Sequence, residues 1–152
     1  MASIAHRVGI KAPVAQVYAA LSSIDGLRGW WTKSTSGTSK PGQVIDFQFL
    51  QADGEILGAM GMEVLNLEPD KQVHWRCVSG PADWIDTEIV FDLSVEDPYT
   101  IVLFHHDHWR EQNESMAHCS MKWATFLLSL KNLVESGKGK PSPDDVKIDN
   151  WN

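Results

Sequence analysis

Residues 114–136 constrain the fold of this 152-residue chain more than any other stretch. Met116, Cys119, Trp123, Phe126, Leu127, Leu130, Leu133 and Val134 recur at steps of three and four, the spacing of one broad helical face. Lys122, Ser129, Lys131 and Asn132 fall on the opposite face. Asn113 is placed to cap the first turn, and Glu114 suits its positive end. Gly137 takes the left-handed stop, and Pro141 forbids a restart. A helix from Glu114 to Ser136 runs about 33 Å, enough to cross a whole sheet. Its apolar face is too wide to stay wet, so a broad concave surface must receive it.

The preceding chain supplies candidates for that surface. Ile4, His6, Val8 and Ile10 alternate with Ala5, Arg7 and Gly9, as a half-buried strand does. Pro13 opens a short helix with Val14, Val17, Tyr18 and Leu21 as its buried stripe. Ser22 to Gly29 reads as a turn with a second short helix ending at Trp30-Trp31, and Thr32 to Pro41 as a loop or weak edge strand. Alternation then returns four times: through Ile45, Phe47 and Phe49; through Met60, Met62 and Val64; through Val73, Trp75 and Cys77; and through Thr87, Ile89, Phe91 and Leu93. Asp53-Gly54, Glu68-Pro69-Asp70, Ser79-Gly80-Pro81 and Glu96-Asp97-Pro98 mark the turns between. A last strand covers Tyr99 to Trp109. The order predicts an α+β domain: a curved antiparallel β-sheet around a long C-terminal helix, with two short helices after the first strand. No repeat or linker divides the chain, so residues 1–152 are expected to form one domain, with 138–152 as an extended surface tail.

The totals exclude several functions. A net charge of −7 and a pI near 5.2 leave no basic stripe for nucleic acid. No apolar run reaches the length of a membrane span, and the N-terminus lacks a signal peptide's apolar core, so the expected location is cytoplasmic. Cys77 and Cys119 lie far apart without CxxC spacing and read as reduced core thiols.

The opening "IKAPVAQVYAALSSIDGLRGWWT" resembles that of the START-like (SRPBCC, helix-grip) superfamily, and within it the branch named for the C-terminal domain of the activator of heat-shock protein 90 ATPase. The matching residues run in order: Ala12-Pro13 to Val17 and Leu21, Trp30-Trp31, Gly42 before an alternating strand, Trp84 with Thr87 and Phe91, Phe104-His105-His106, Trp123 with Leu127 to Lys131, and "ESGKGKP". The resemblance implies a helix-grip fold with a cavity between sheet and C-terminal helix, where family members bind lipids, sterols, polyketides or other apolar molecules and a minority catalyse reactions. The eponymous activators carry an additional N-terminal domain that these residues do not include, which places regulation of a chaperone ATPase behind small-molecule binding. His108 stands after Asp107 where the family pattern has glycine; it is expected to narrow the cavity mouth or add a polar group there.

Candidate site residues follow from the inferred inward faces. Alternation points His106 and His108 to the same side as Phe104 and Val102, and His105 and Asp107 to the other. The i, i+2 pair would ligate a metal only if a third ligand such as His6 or His118 converged on it, and no metal is expected. His106 alone either hydrogen-bonds a ligand or serves a structural bond. Trp75, Trp84 and Trp123 fall on inward faces, with Trp30 or Trp31 near the sheet's opening; each large ring fills core or presents its indole N–H to a ligand. Met60, Met62 and Met116 serve as adaptable pocket wall or as gap filling. Asp86, Glu88 and Asp92 read as a solvated sheet surface, and Asp83 with Asp86 as a gate to an entrance. No nucleophile elbow, HExxH motif or phosphate-binding glycine loop occurs, and no acid–base pair has evident partners.

The expected ligand-binding set is therefore Trp31, Phe47, Phe49, Met62, Trp75, Trp84, Phe91, Phe104, His106, Met116 and Trp123, with no catalytic residue, metal or cofactor. Rings on so many elements prefer offset or edge contacts, which are expected to leave a pocket between sheet and helix. The expected function is binding of a small hydrophobic or amphipathic molecule, such as a lipid, in a stress response. A cavity enzyme of cyclase or hydrolase type using His106, and an interaction protein regulating a chaperone, are the alternatives.

Overall fold

The computed structural model describes residues 1–152. Its elements are β1 (Ala2–Ile10), α1 (Val14–Ser22), α2 (Ile24–Trp30), β2 (Ser34–Gly37), β3 (Val44–Leu50), β4 (Ile56–Glu68), β5 (Gln72–Ser79), β6 (Glu88–Glu96), β7 (Tyr99–Trp109) and α3 (Glu114–Ser136). The strands form one antiparallel sheet of seven in the order β1-β7-β6-β5-β4-β3-β2. The α+β helix-grip architecture is present as expected, with α3 lying against the sheet's inner face.

Local chemistry accounts for α3. Asn113 Oδ1 accepts the Met116 N–H at 3.0 Å, and Gly137, at φ 87°, ends the helix by donating to the Leu133 carbonyl. Pro13 sits one position earlier than expected: its ψ of 143° is extended, and it precedes the first helical residue as the N-cap. The Ser- and Thr-rich stretch holds a short edge strand, β2.

Strand alternation holds except at bulges. Met62 pairs with Cys77 but Gly61 with Ser79, so Val78 is extra; Val64 pairs with Trp75 but Asn66 with His74, so Leu65 is extra. Both extra residues are turned outward and half-exposed. Such bulges sharpen bend and twist, which lets the sheet wrap the helix. A third bulge falls where Ile4 faces His106 and Ala2 faces Trp109. There His108 adopts φ 71°, so it points away from the cavity while Trp109 takes the buried place.

The helix face assigned to solvent is only partly so. Lys122 and Ser129 are buried, because residues 139–152 return over that side. Ser129 Oγ donates to the Trp30 carbonyl at 2.8 Å and accepts from the Lys140 N–H at 2.7 Å. Gly139 runs so close to α2 that an added Cβ would lie 2.4 Å from the Gly29 oxygen. The tail is then tied to the loop after α2, where Ser142 N–H donates to the Trp31 carbonyl at 2.8 Å and Lys33 N–H to that of Ser142 at 3.1 Å.

Candidate functional site

His106 is fully buried on β7, and its surroundings define its state. Trp123 Nε1–H donates to His106 Nδ1 at 3.1 Å, so the ring proton resides on Nε2 and goes to Thr87 Oγ1 at 2.8 Å. The Thr87 hydroxyl passes its own proton to the Trp84 carbonyl at 2.6 Å. Each donor in this relay has one acceptor only if the imidazole is neutral. Burial enforces that state, pushing the His106 pKa down to about 3 against the opposing charge of Asp107. Both ring nitrogens are occupied by protein, and the relay orients Trp123 and the backbone of Trp84.

Around the relay the aromatic side chains close the interior. Phe104 meets Trp123 at 4.5 Å, Trp75 meets Phe91 edge-on at 5.3 Å, and Trp31 lies 4.4 Å from Phe47 and 4.9 Å from Trp123. Around His106 and the middle of the sheet the offset and edge contacts leave no gap, because tilted neighbours fill one another's hollows; the space between sheet and helix lies toward one end. Phe47, Met62, Trp75, Phe91, Phe104, His106 and Met116 are accordingly buried away from the pocket described next.

An apolar pocket lies at one end of the grip. It has a volume of about 210 Å³ and is bounded by Trp31, Phe49, Trp84 and Trp123, which brings together four of the expected residues. Met60, read as adaptable pocket wall, also lines it; sequence reasoning missed Leu57 and Gly58 of β4, Pro81, Cys119, Lys122 and Phe126 of α3, and Trp151 and Asn152 of the tail. Cys119 and Phe126 were legible as part of the helical stripe, but their place at an edge of the core was not, and Lys122 was assigned to the opposite face. Trp151 packs on His118 at 5.2 Å between centroids, and His118 Nδ1 hydrogen-bonds Asp149 at 2.7 Å. Lys122 Nζ is ion-paired with Asp145 and donates to the Val146 carbonyl at 2.7 Å. The pair Asp144-Asp145 was the available signal for a partner to Lys122. Burial pushes the Cys119 thiol up to about 11, which keeps it protonated near neutral pH.

The remaining histidines lie elsewhere. His105 faces outward between Asp107 at 2.5 Å and Asp92 at 3.3 Å. Partial burial lowers its pKa, but hydrogen bonds and charge from Asp107 and Asp92 outweigh this and raise it above the ordinary value. His108, expected at the cavity mouth, instead meets Glu88 at 3.2 Å on the outer face, and Glu88 also accepts from His74 at 2.6 Å. The surface carboxylates Glu88 and Asp92 are thus tied into cross-strand contacts. His6 donates to the Ser120 carbonyl at 3.0 Å and does not approach His106 or His108 as a third ligand.

Comparison with known proteins places this geometry. The chain finds no match among curated protein sequences. Among solved structures it is similar to the Aha1 dimer of Colwellia psychrerythraea, with 43% identity over 91% of this chain and 100% of that one, at a TM-score of 0.80. Protein MLL2253 of Mesorhizobium loti shares the fold at 18% identity, 88% and 96% coverage and a TM-score of 0.73. Protein CV1439 of Chromobacterium violaceum does so at 18% identity, 89% and 99% coverage and a TM-score of 0.71. Residues 11–135 match the family model described as activator of Hsp90 ATPase homolog 1-like protein, and the chain belongs to that family.

Proposed function

We propose that this domain binds a small apolar or amphipathic molecule in the pocket between α3, the β3–β4 hairpin and the tail. The observation that carries this reading is an aromatic-walled pocket whose polar side is confined to Lys122, His118 and Asn152. Membership of a family whose members hold hydrophobic ligands supports it. At about 210 Å³ the pocket is below the 300–1,000 Å³ usual for drug-sized ligands. That volume suits a single alkyl chain or a small aromatic and is too small for a sterol. The enzyme alternative built on His106 loses its base, since both nitrogens of that ring are engaged by protein.

The test is intrinsic tryptophan fluorescence under titration with medium-chain fatty acids, small aromatics and a sterol. Quenching or a spectral shift with the first two, reduced in Trp123→Phe, is expected. No change in fluorescence or melting temperature across the series would overturn the reading.

A second reading comes from the Colwellia relative, which is a dimer. Met121 and Leu128 stand half-exposed at 56% and 55% on the outer side of α3, and self-association through that side would cover them. Sedimentation equilibrium showing a dimer that Met121→Glu converts to a monomer is the expected result; a wild-type monomer would exclude it.

A further inference from the structure

Three openings lie along the seam between α3 and the tail. Beside the ligand pocket, a gap of about 260 Å³ lies between α3 and residues 148–151, and another of about 330 Å³ lies beside Asp145 and Val146. The tail therefore rests on α3 without filling the surface beneath it. Ion pairs and a hydrogen bond hold it there. Lys33 pairs with Asp144 at 2.6 Å, Lys122 with Asp145, and His118 with Asp149 at 2.7 Å. Upstream, the backbone bonds between Ser142 and the Trp31–Lys33 segment supply a fixed anchor.

Asp145 is central to these contacts. Its side chain is 1% exposed, and it accepts from Lys122, from Lys147 Nζ at 2.9 Å and from Asn152 Nδ2 at 3.4 Å. Lys122 and Asn152 both line the pocket, and Lys122 is the only lysine or arginine that does. A carboxylate from the chain's own tail thus covers the ammonium of the pocket wall. A buried ammonium left without an anion is costly, whereas exchanging one carboxylate for another keeps the charge paired.

Building on the ligand-binding reading above, we infer that residues 144–152 form a strap whose Asp145 carboxylate stands where a ligand's acidic headgroup binds, and that the pocket takes a single-chain carboxylate amphiphile. The ligand carboxylate displaces Asp145 from Lys122, and the alkyl chain enters between Trp31, Phe49, Trp84 and Phe126. Release of Asp145 loosens the tail beyond Ser142, lifts Trp151 from His118 and joins the pocket to the gaps beside it. A neutral headgroup offers Lys122 no counter-charge, so it leaves the strap closed and gains only apolar contact. Ligand and tail compete for one lysine, and the intact strap limits affinity.

The experiment compares decanoate with decanol by fluorescence titration of the full chain, as wild type, Asp145→Asn, Lys122→Met and Lys122→Arg. Asp145→Asn is expected to tighten decanoate by about tenfold, the scale of one charge-assisted bond, and to change decanol by less than about twofold. Lys122→Met removes the preference for the acid, while Lys122→Arg keeps it and serves where the methionine variant does not fold. Equal affinity for acid and alcohol in wild type and Asp145→Asn, or weaker decanoate binding in Asp145→Asn, overturns the headgroup assignment and leaves the pocket reading standing. Silence toward both compounds in every variant overturns both.

Discussion

At the scale of single residues, two adjacent histidines respond to acid with opposite signs. The folded His106 ring resists protonation down to about 3, while an unperturbed histidine titrates near 6.5. Above 6.5 both states are neutral there and nothing depends on pH. Below it the unfolded chain gains a proton that the folded chain refuses, so stability falls by up to about 1.4 kcal/mol per pH unit until the folded ring titrates. His105, raised between two carboxylates, stabilises the fold below its ordinary value and loses that contribution as pH rises through the folded value. Urea unfolding at several pH values should show stability declining toward acid. His106→Gln should flatten that decline, and His105→Gln should remove the loss on the neutral side. Trp123→Phe removes the donor to His106 Nδ1 and leaves a buried acceptor bare, an expected cost of about 1–3 kcal/mol in the same assay. The face of His106 was legible from alternation, but its partners were not: Thr87 and Trp123 come from other elements, and only packing brings them within 3.1 Å.

At the scale of elements, the bulge near the end of β7 gives position 108 a backbone conformation that suits the glycine expected there. A φ of 71° is costly for a residue with a Cβ. The His108 contact with Glu88 is half-exposed and worth little. His108→Gly should therefore stabilise the protein by about 1 kcal/mol, read as a higher urea midpoint. A lower midpoint would show that the Glu88 contact outweighs the backbone strain. The same bulge defeats sequence reading of this segment. Strict alternation assigns 106 and 108 to one face, and one extra residue sends 108 outward and 109 inward. Gly139→Ala tests the seam between α2 and the tail: its Cβ would press on the Gly29 carbonyl, and a loss of about 1–3 kcal/mol is expected.

At the scale of the whole molecule, one hydrophobic cluster runs from Ile4 and Ile10 of β1 through the rings of β3 to β7 to Leu130 of α3. We expect residues 1–152 to unfold as one domain, with far-ultraviolet circular dichroism and tryptophan fluorescence giving coincident transitions. Separated transitions would divide the chain. Within that unit the tail should open first, because ion pairs over gaps hold it where interlocked rings hold the core. Hydrogen exchange should be slowest for amides of α3 beneath the cluster, slow for Ser142, and fastest for Ile148 and the residues after it. Uniform protection through residue 152 would contradict a strap.

The sequence by itself determined the helix and its caps, the succession of strands along the chain, the fold and the family, because each rests on local periodicity, turn chemistry or motifs carried in chain order. It also determined that the inner faces are aromatic. Where the space lies was decided by tertiary structure alone. Interior rings from separate strands interlock, and no one-dimensional pattern states whether such rings meet edge to hollow or leave a void. Lys122 shows the same limit at one position. By helical step it belongs to the solvent face, and only the return of the tail, with Asp145 on top of it, makes it a buried cation beside a pocket.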